Sequence, residues 1–146
     1  MWVACWSGTL PKGWHSHSHC AVCGPSNRRG LSLKFHLRPD GIAEAHSRIT
    51  SGLQGYAGIV QGGVTAAMLD SAMVNCIWLS TGLEAVTAEM SVRYMAEIPV
   101  GAELRIEGRL LRQRKGLFWT MAQVWVEDKE MARAEGKFLL RLACYG

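Results

Sequence analysis

Residues 64–79 read VTAAMLDSAMVNCIWL, and the polar side chains among them are Thr65, Asp70, Ser71 and Asn75. At roughly 100° per residue these scatter around a helix instead of lining up as one wet stripe. The segment therefore predicts a helix buried on every side, with a carboxylate near its middle. Taking an unpartnered carboxylate out of water is costly, so Asp70 must be hydrogen-bonded, protonated or turned toward a cavity where chemistry happens. Ser71 and Asn75 stand one turn apart on one face and predict a hydrogen bond within the helix.

The sequence on either side of this helix reads as strand. Leu31, Leu33, Phe35 and Leu37 alternate with polar residues, Asp40-Gly41 marks a tight turn, and Ile42 to Ile49 returns as the second arm of a hairpin. A glycine-rich loop, 51–58, leads through Gln61-Gly62-Gly63 into the helix. Beyond Gly82 the period becomes two: Val86, Ala88, Met90, Val92 and Tyr94 against Thr87, Glu89, Ser91 and Arg93. If the apolar set faces the helix, Thr87 points away from Asp70 of its own chain and would serve it only through local twist or from a partner subunit. Leu104, Ile106 and Leu110 continue the alternation, as do Ala132, Ala134, Phe138, Leu140 and Leu142, with a turn at 127–129. Phe118 to Val126 is apolar on both faces, which predicts a second burial partner, most simply another copy of the chain. The order predicts an α+β domain in which an antiparallel sheet curls around one long central helix.

At 146 residues the chain fits one domain with one core, and its 19% charged and 49% apolar content places it among compact globular proteins. A net charge of +4 without a broad basic stripe predicts no nucleic-acid partner, and the polar residues of the apolar helix argue against a membrane span. The first fourteen residues, MWVACWSGTLPKGW, lack the basic start and apolar run of a secretory signal, so the expected location is the cytoplasm. Five cysteines are an odd number and fit reduced thiols better than a disulfide scaffold. Residues 1–30 carry no usable period and predict an irregular arm closing over a domain at 31–146.

Val60-Gln61-Gly62-Gly63-Val64, with Asp70 nine residues after Gln61 and Val86-Thr87-Ala88-Glu89-Met90 following, resembles the hotdog-fold acyl-CoA thioesterases of the phenylacetate-pathway (PaaI-like) type. The resemblance runs from about Gly30 to the C-terminus. Cys20-Ala21-Val22-Cys23-Gly24, Asn27 and Gly30-Leu31 look like an N-terminal stretch of uncharacterised members. It implies a hotdog fold, thioester hydrolysis without a cofactor, an acyl-CoA substrate and a homodimer or dimer of dimers with shared sites. Most members carry His-Gly-Gly where this chain has Gln61-Gly62-Gly63; the Gln61 amide can donate to a thioester oxygen and orient substrate, or fix the loop as a cap, but cannot transfer a proton at neutral pH. Thr87 matches the position where the family often has a Ser or Thr that orients water.

Physical chemistry supplies a rationale for those positions. Gly62 and Gly63 let a substrate carbonyl approach backbone N–H groups at a helix start, where the macrodipole favours a developing oxyanion. Asp70 can deprotonate a water for attack on the thioester carbon, or attack that carbon itself. Two turns of helix put roughly 11 Å between the glycines and Asp70, so the two halves are expected to meet across a dimer interface. Arg112, Arg114, Lys115 and Gly116 are expected at a turn on the sheet edge, where they suit the phosphates of coenzyme A. His15, His17, His19, Cys20 and Cys23 hold enough soft ligands for a zinc ion, but no second ligand pair follows at the usual spacing, so no metal is expected. A non-catalytic acyl-CoA-binding protein is the main rival reading. Hydratase chemistry ranks last, because no histidine follows His46.

Overall fold

The computed structural model describes residues 17–141. Two short strands, β1 (His36–Leu37) and β2 (Ala43–Arg48), precede a helix, α1 (Gly62–Thr81). Four long strands follow: β3 (Ala85–Tyr94), β4 (Glu103–Arg114), β5 (Leu117–Val126) and β6 (Lys129–Leu140). They form one antiparallel sheet in the order β1-β2-β4-β5-β6-β3. The sheet wraps α1, as expected. By length and composition α1 would suffice to cross a membrane, but here it is the core helix.

Met68, Leu69, Ala72, Met73, Cys76 and Ile77 of α1 pack on Ala45, Leu104, Ile106, Phe118, Val124 and Phe138. Strand glycines let the sheet come close. A Cβ at Gly108 would stand 2.3 Å from the Ala72 carbonyl oxygen, and one at Gly136 would stand 2.9 Å from Met73 Sδ. Burial pushes the Cys76 thiol up to about 12, so it stays protonated. Asn75 Nδ2 donates to the Ser71 carbonyl at 2.8 Å, the expected bond within the helix.

The structure corrects several sequence expectations. The first strand shrinks to two residues, because the Leu31 and Leu33 N–H groups donate to the Ala21 and Val22 carbonyls instead of to β2. Val22 thereby enters the same core. The helix is not buried all round. Gly63, Ala67, Asp70, Val74 and Trp78 form a stripe that the sheet leaves partly uncovered, with Trp78 48% exposed. On the outer face of β5, Arg112 lies 4.4 Å from the Trp119 ring centre and Arg105 lies 5.3 Å from that of Trp125, so guanidinium groups of the same chain cover part of that apolar face. Residues 1–16 and 142–146, with His15, Leu142 and most of the expected arm, lie outside the described residues.

Carboxylates on the outer face hold an ionic network. Glu44 accepts from Arg38 at 2.9 Å and pairs with His46 at 2.9 Å, while Glu107 accepts from Arg38 and Arg105. Burial works against the charge of Glu44, yet its bonds to His46 and Arg38 outweigh that and hold its pKa below the ordinary 4.5.

Two predictions follow from these contacts. Gly108→Ala forces a methyl against the Ala72 carbonyl and should lower unfolding free energy by about 1–3 kcal/mol in denaturant melts, as overpacking does; a neutral result would mean that β4 can retreat from α1. Because the folded-state pKa of Glu44 lies below its unfolded value, its contribution is complete above pH 4.5 and is lost as pH falls through the lowered value. Thermal melts of Glu44→Gln should accordingly lose less stability than wild type between pH 4.5 and the acid end of the titration.

Candidate active site

The approach to α1 is tied down before the helix begins. The loop after the 3-10 turn Ser51–Leu53 is held by bridges between Gln54 and Val60 and between Ile59 and Pro99, and Val60 N–H donates to the Ile98 carbonyl. Gln61 then caps the helix. Its carbonyl accepts from the Val64 and Thr65 N–H groups, and its side-chain Oε1 also accepts from Val64 N–H at 3.1 Å. Gly63 leaves room for this amide, since a Cβ there would stand 2.8 Å from Gln61 Oε1.

The cap claims the third and fourth N–H groups and leaves the first two. Neither Gly62 N–H nor Gly63 N–H donates to any described residue, and both glycines are exposed. Two donors without a partner among the described residues, at the positive end of a twenty-residue helix, make a place for an anionic oxygen. Hollows open on either side of Gln61. The larger, about 580 Å³, is lined by Tyr56, Ile59, Gly62, Thr65, Tyr94 and Met95 among others; the smaller, about 340 Å³, is bounded by Val22, Leu31, Gly63, Val64 and Ala67 among others.

Asp70 is half-buried, and Thr87 Oγ1 donates to its Oδ1 at 2.5 Å within the same chain. Strict alternation would have turned Thr87 away; a local distortion of β3, one of the two routes left open, brings it to Asp70 of its own chain. The pairing of β3 with β6 shifts between Thr87 and Glu89. Thr87 lies opposite Phe138, while Met90 and Val92 lie opposite Gly136 and Ala134, all of which face α1. The extra residue, Ala88, exchanges the two faces, so Thr87 meets the helix on one side of the bulge and Met90 does on the other.

Within one chain the expected residues form two clusters. Gln61, Gly62 and Gly63 stand at the start of α1, and Asp70 stands with Thr87 two turns on, roughly 11 Å away. The basic turn belongs at the Asp70 end: Gln113 pairs with Phe118, Phe118 with Phe138, and Phe138 with Thr87. Lys115 (φ 48°) and Gly116 (φ 75°) make the two-residue turn, which joins central strands and projects from the end of the sheet instead of lying on an edge strand. Arg112 is engaged with Trp119.

Sequence reasoning missed Tyr94. Its hydroxyl donates to the Gly62 carbonyl at 2.7 Å and its side chain lines the larger hollow. The strand period counted it as apolar; the phenol's need for a partner was the available signal. In the N-terminal turns, Cys20 Sγ accepts from the Val22 and Cys23 N–H groups, and Cys23 Sγ lies 3.9 Å from His17 Nδ1. Among the described residues no three potential ligands converge on a metal position. His36 and His46 both sit beside Glu44.

A family model described as the thioesterase superfamily matches residues 57–132, a little over half of the chain. Among solved structures, a thioesterase superfamily protein is 26% identical with a TM-score of 0.77 over 84% of this chain and 60% of its own, so the chain spans about three fifths of that relative's length. A phenylacetic acid degradation-related protein from Ralstonia eutropha JMP134 is 21% identical with a TM-score of 0.68, over 75% of this chain and 85% of its own. A Streptococcus mutans UA159 protein whose structure was solved bound to acetyl CoA is 21% identical with a TM-score of 0.67, over 75% of this chain and 88% of its own. No curated protein matches.

Gln61→Ala removes the side-chain acceptor at Val64 and should cost about 1 kcal/mol of stability in denaturant melts, the usual cost of a lost cap. No change would mean that the backbone carbonyl of residue 61 caps the helix unaided.

Proposed function

The chain belongs to the thioesterase superfamily, and we propose that it is an acyl-CoA thioesterase, hydrolysing the thioester with water activated by Asp70. The observation that carries this reading is the pair of N–H groups at Gly62 and Gly63, unclaimed among the described residues, on the same helix as a carboxylate held by a hydroxyl. The thioester oxygen would accept from these N–H groups, which stabilise the charge it gains as the carbonyl carbon becomes tetrahedral. Asp70, with one oxygen fixed by Thr87, would use the other to take a proton from the attacking water. Collapse then breaks the C–S bond, and the departing thiolate leaves as free thiol after protonation.

One helix cannot bring its own glycines and Asp70 to one carbonyl, so the site is proposed to assemble from two protomers, in a homodimer or a dimer of dimers. Arg112, Arg114 and Lys115, with the Gly116 turn, are proposed to hold coenzyme A phosphates. The acetyl CoA bound by the Streptococcus mutans relative supports a ligand of this class. Hydrolysis needs no cofactor, and the proposed setting is the cytoplasm, with an acyl-CoA and no nucleic acid or membrane as partner. Gln61 favours one rival, a non-catalytic acyl-CoA binder, because its amide oxygen is spent on the cap and the group cannot shuttle a proton.

The test is a free-thiol assay over aryl, short, medium and long acyl-CoAs, run beside Asp70→Asn. Asparagine can still accept from Thr87, so the fold should persist while turnover drops by several hundredfold, on the order expected for loss of a general base. Equal turnover in the variant would end the catalytic role of Asp70. Tight binding with no hydrolysis by wild type would favour the rival.

A further inference from the structure

We propose that Tyr94 is a positioning residue that fixes the direction of the Gly63 N–H, an inference that rests on the thioesterase reading above. The Gly62 carbonyl and the Gly63 N–H are opposite ends of one planar trans peptide. Whatever holds the oxygen therefore aims the hydrogen. Tyr94 Oη donates to that oxygen at 2.7 Å, on the side of α1 facing the larger hollow. The peptide it holds lies between two glycines, which have the widest choice of dihedral angles of any residue pair. It also belongs to the first helical turn, and both glycines are exposed.

The phenol is carried on a firm support. Tyr94 pairs with Ala132 at the end of β3, and the next two N–H groups, of Met95 and Ala96, both donate to the Met131 carbonyl. The ring lies flush with the glycine: a Cβ on Gly62 would stand 3.6 Å from Tyr94 Oη and 3.7 Å from ring carbons, ordinary contact distances. A second effect acts in the same direction. A hydrogen bond accepted by the carbonyl draws electron density toward oxygen and strengthens the N–H donor of the same amide. The cap reinforces this from the other flank, because Gln61 accepts from Val64 N–H and not from Gly63 N–H. Tyr94 thus completes the oxyanion site without touching the reacting atoms.

Tyr94→Phe keeps the ring and removes only the donor. In the acyl-CoA assay kcat should fall about tenfold with KM within about twofold, as expected for loss of one neutral hydrogen bond felt in the transition state. The backbone ¹⁵N order parameter of Gly63 should fall in the same variant, whatever the substrate. A kcat within twofold of wild type, or a raised KM at unchanged kcat, would overturn the proposal and make Tyr94 a bystander or a substrate contact. An unaltered Gly63 order parameter would overturn it as well. If wild type hydrolyses no acyl-CoA, the thioesterase reading fails by itself, and the order parameters still decide whether Tyr94 holds the peptide.

Discussion

The contact on which the rest of the molecule depends is the approach of β4 to the α1 backbone, where Gly108 faces the Ala72 carbonyl with no room for a methyl group. A sheet can curl around a helix only if some strand position gives up its side chain, and Gly108 and Gly136 do so on two neighbouring sides of α1. With the helix seated that deeply, its sheet-facing side chains are fixed by packing. Its start and its Asp70 level are left for β3 to reach with single hydroxyls.

Those two hydroxyls organise the candidate site. Tyr94 holds the first turn and Thr87 holds Asp70, and both ride on β3, which runs antiparallel alongside α1. One strand therefore sets the aim of both halves of the proposed chemistry. The basic turn between β4 and β5 lies toward the Asp70 end, two strands removed.

Much of this was legible in the sequence. The apolar helix and the alternating strands around it gave the antiparallel sheet and its central helix, and the glycine pair and the acid were visible by spacing. The remainder failed for identifiable physical reasons. Periodicity assumes an unbroken pleat, so the bulge at Ala88 hid the meeting of Thr87 with Asp70. Composition counts tyrosine among apolar residues, which hid the bond from Tyr94 to Gly62. Leu31 and Leu33 alternate as a strand would, but their N–H groups were already claimed by Ala21 and Val22.

The capping glutamine carries one more implication. Where the phenylacetate-pathway type that the sequence resembles mostly has a histidine, this chain places a neutral amide whose oxygen accepts from Val64 N–H. An imidazole nitrogen in that role would cease to accept on gaining a proton near neutrality, and would bring a positive charge to the positive end of a helix. A carboxamide undergoes no such change. The cap at the entrance to α1 therefore keeps the same hydrogen bond and the same neutral charge from mildly acidic to mildly alkaline solution.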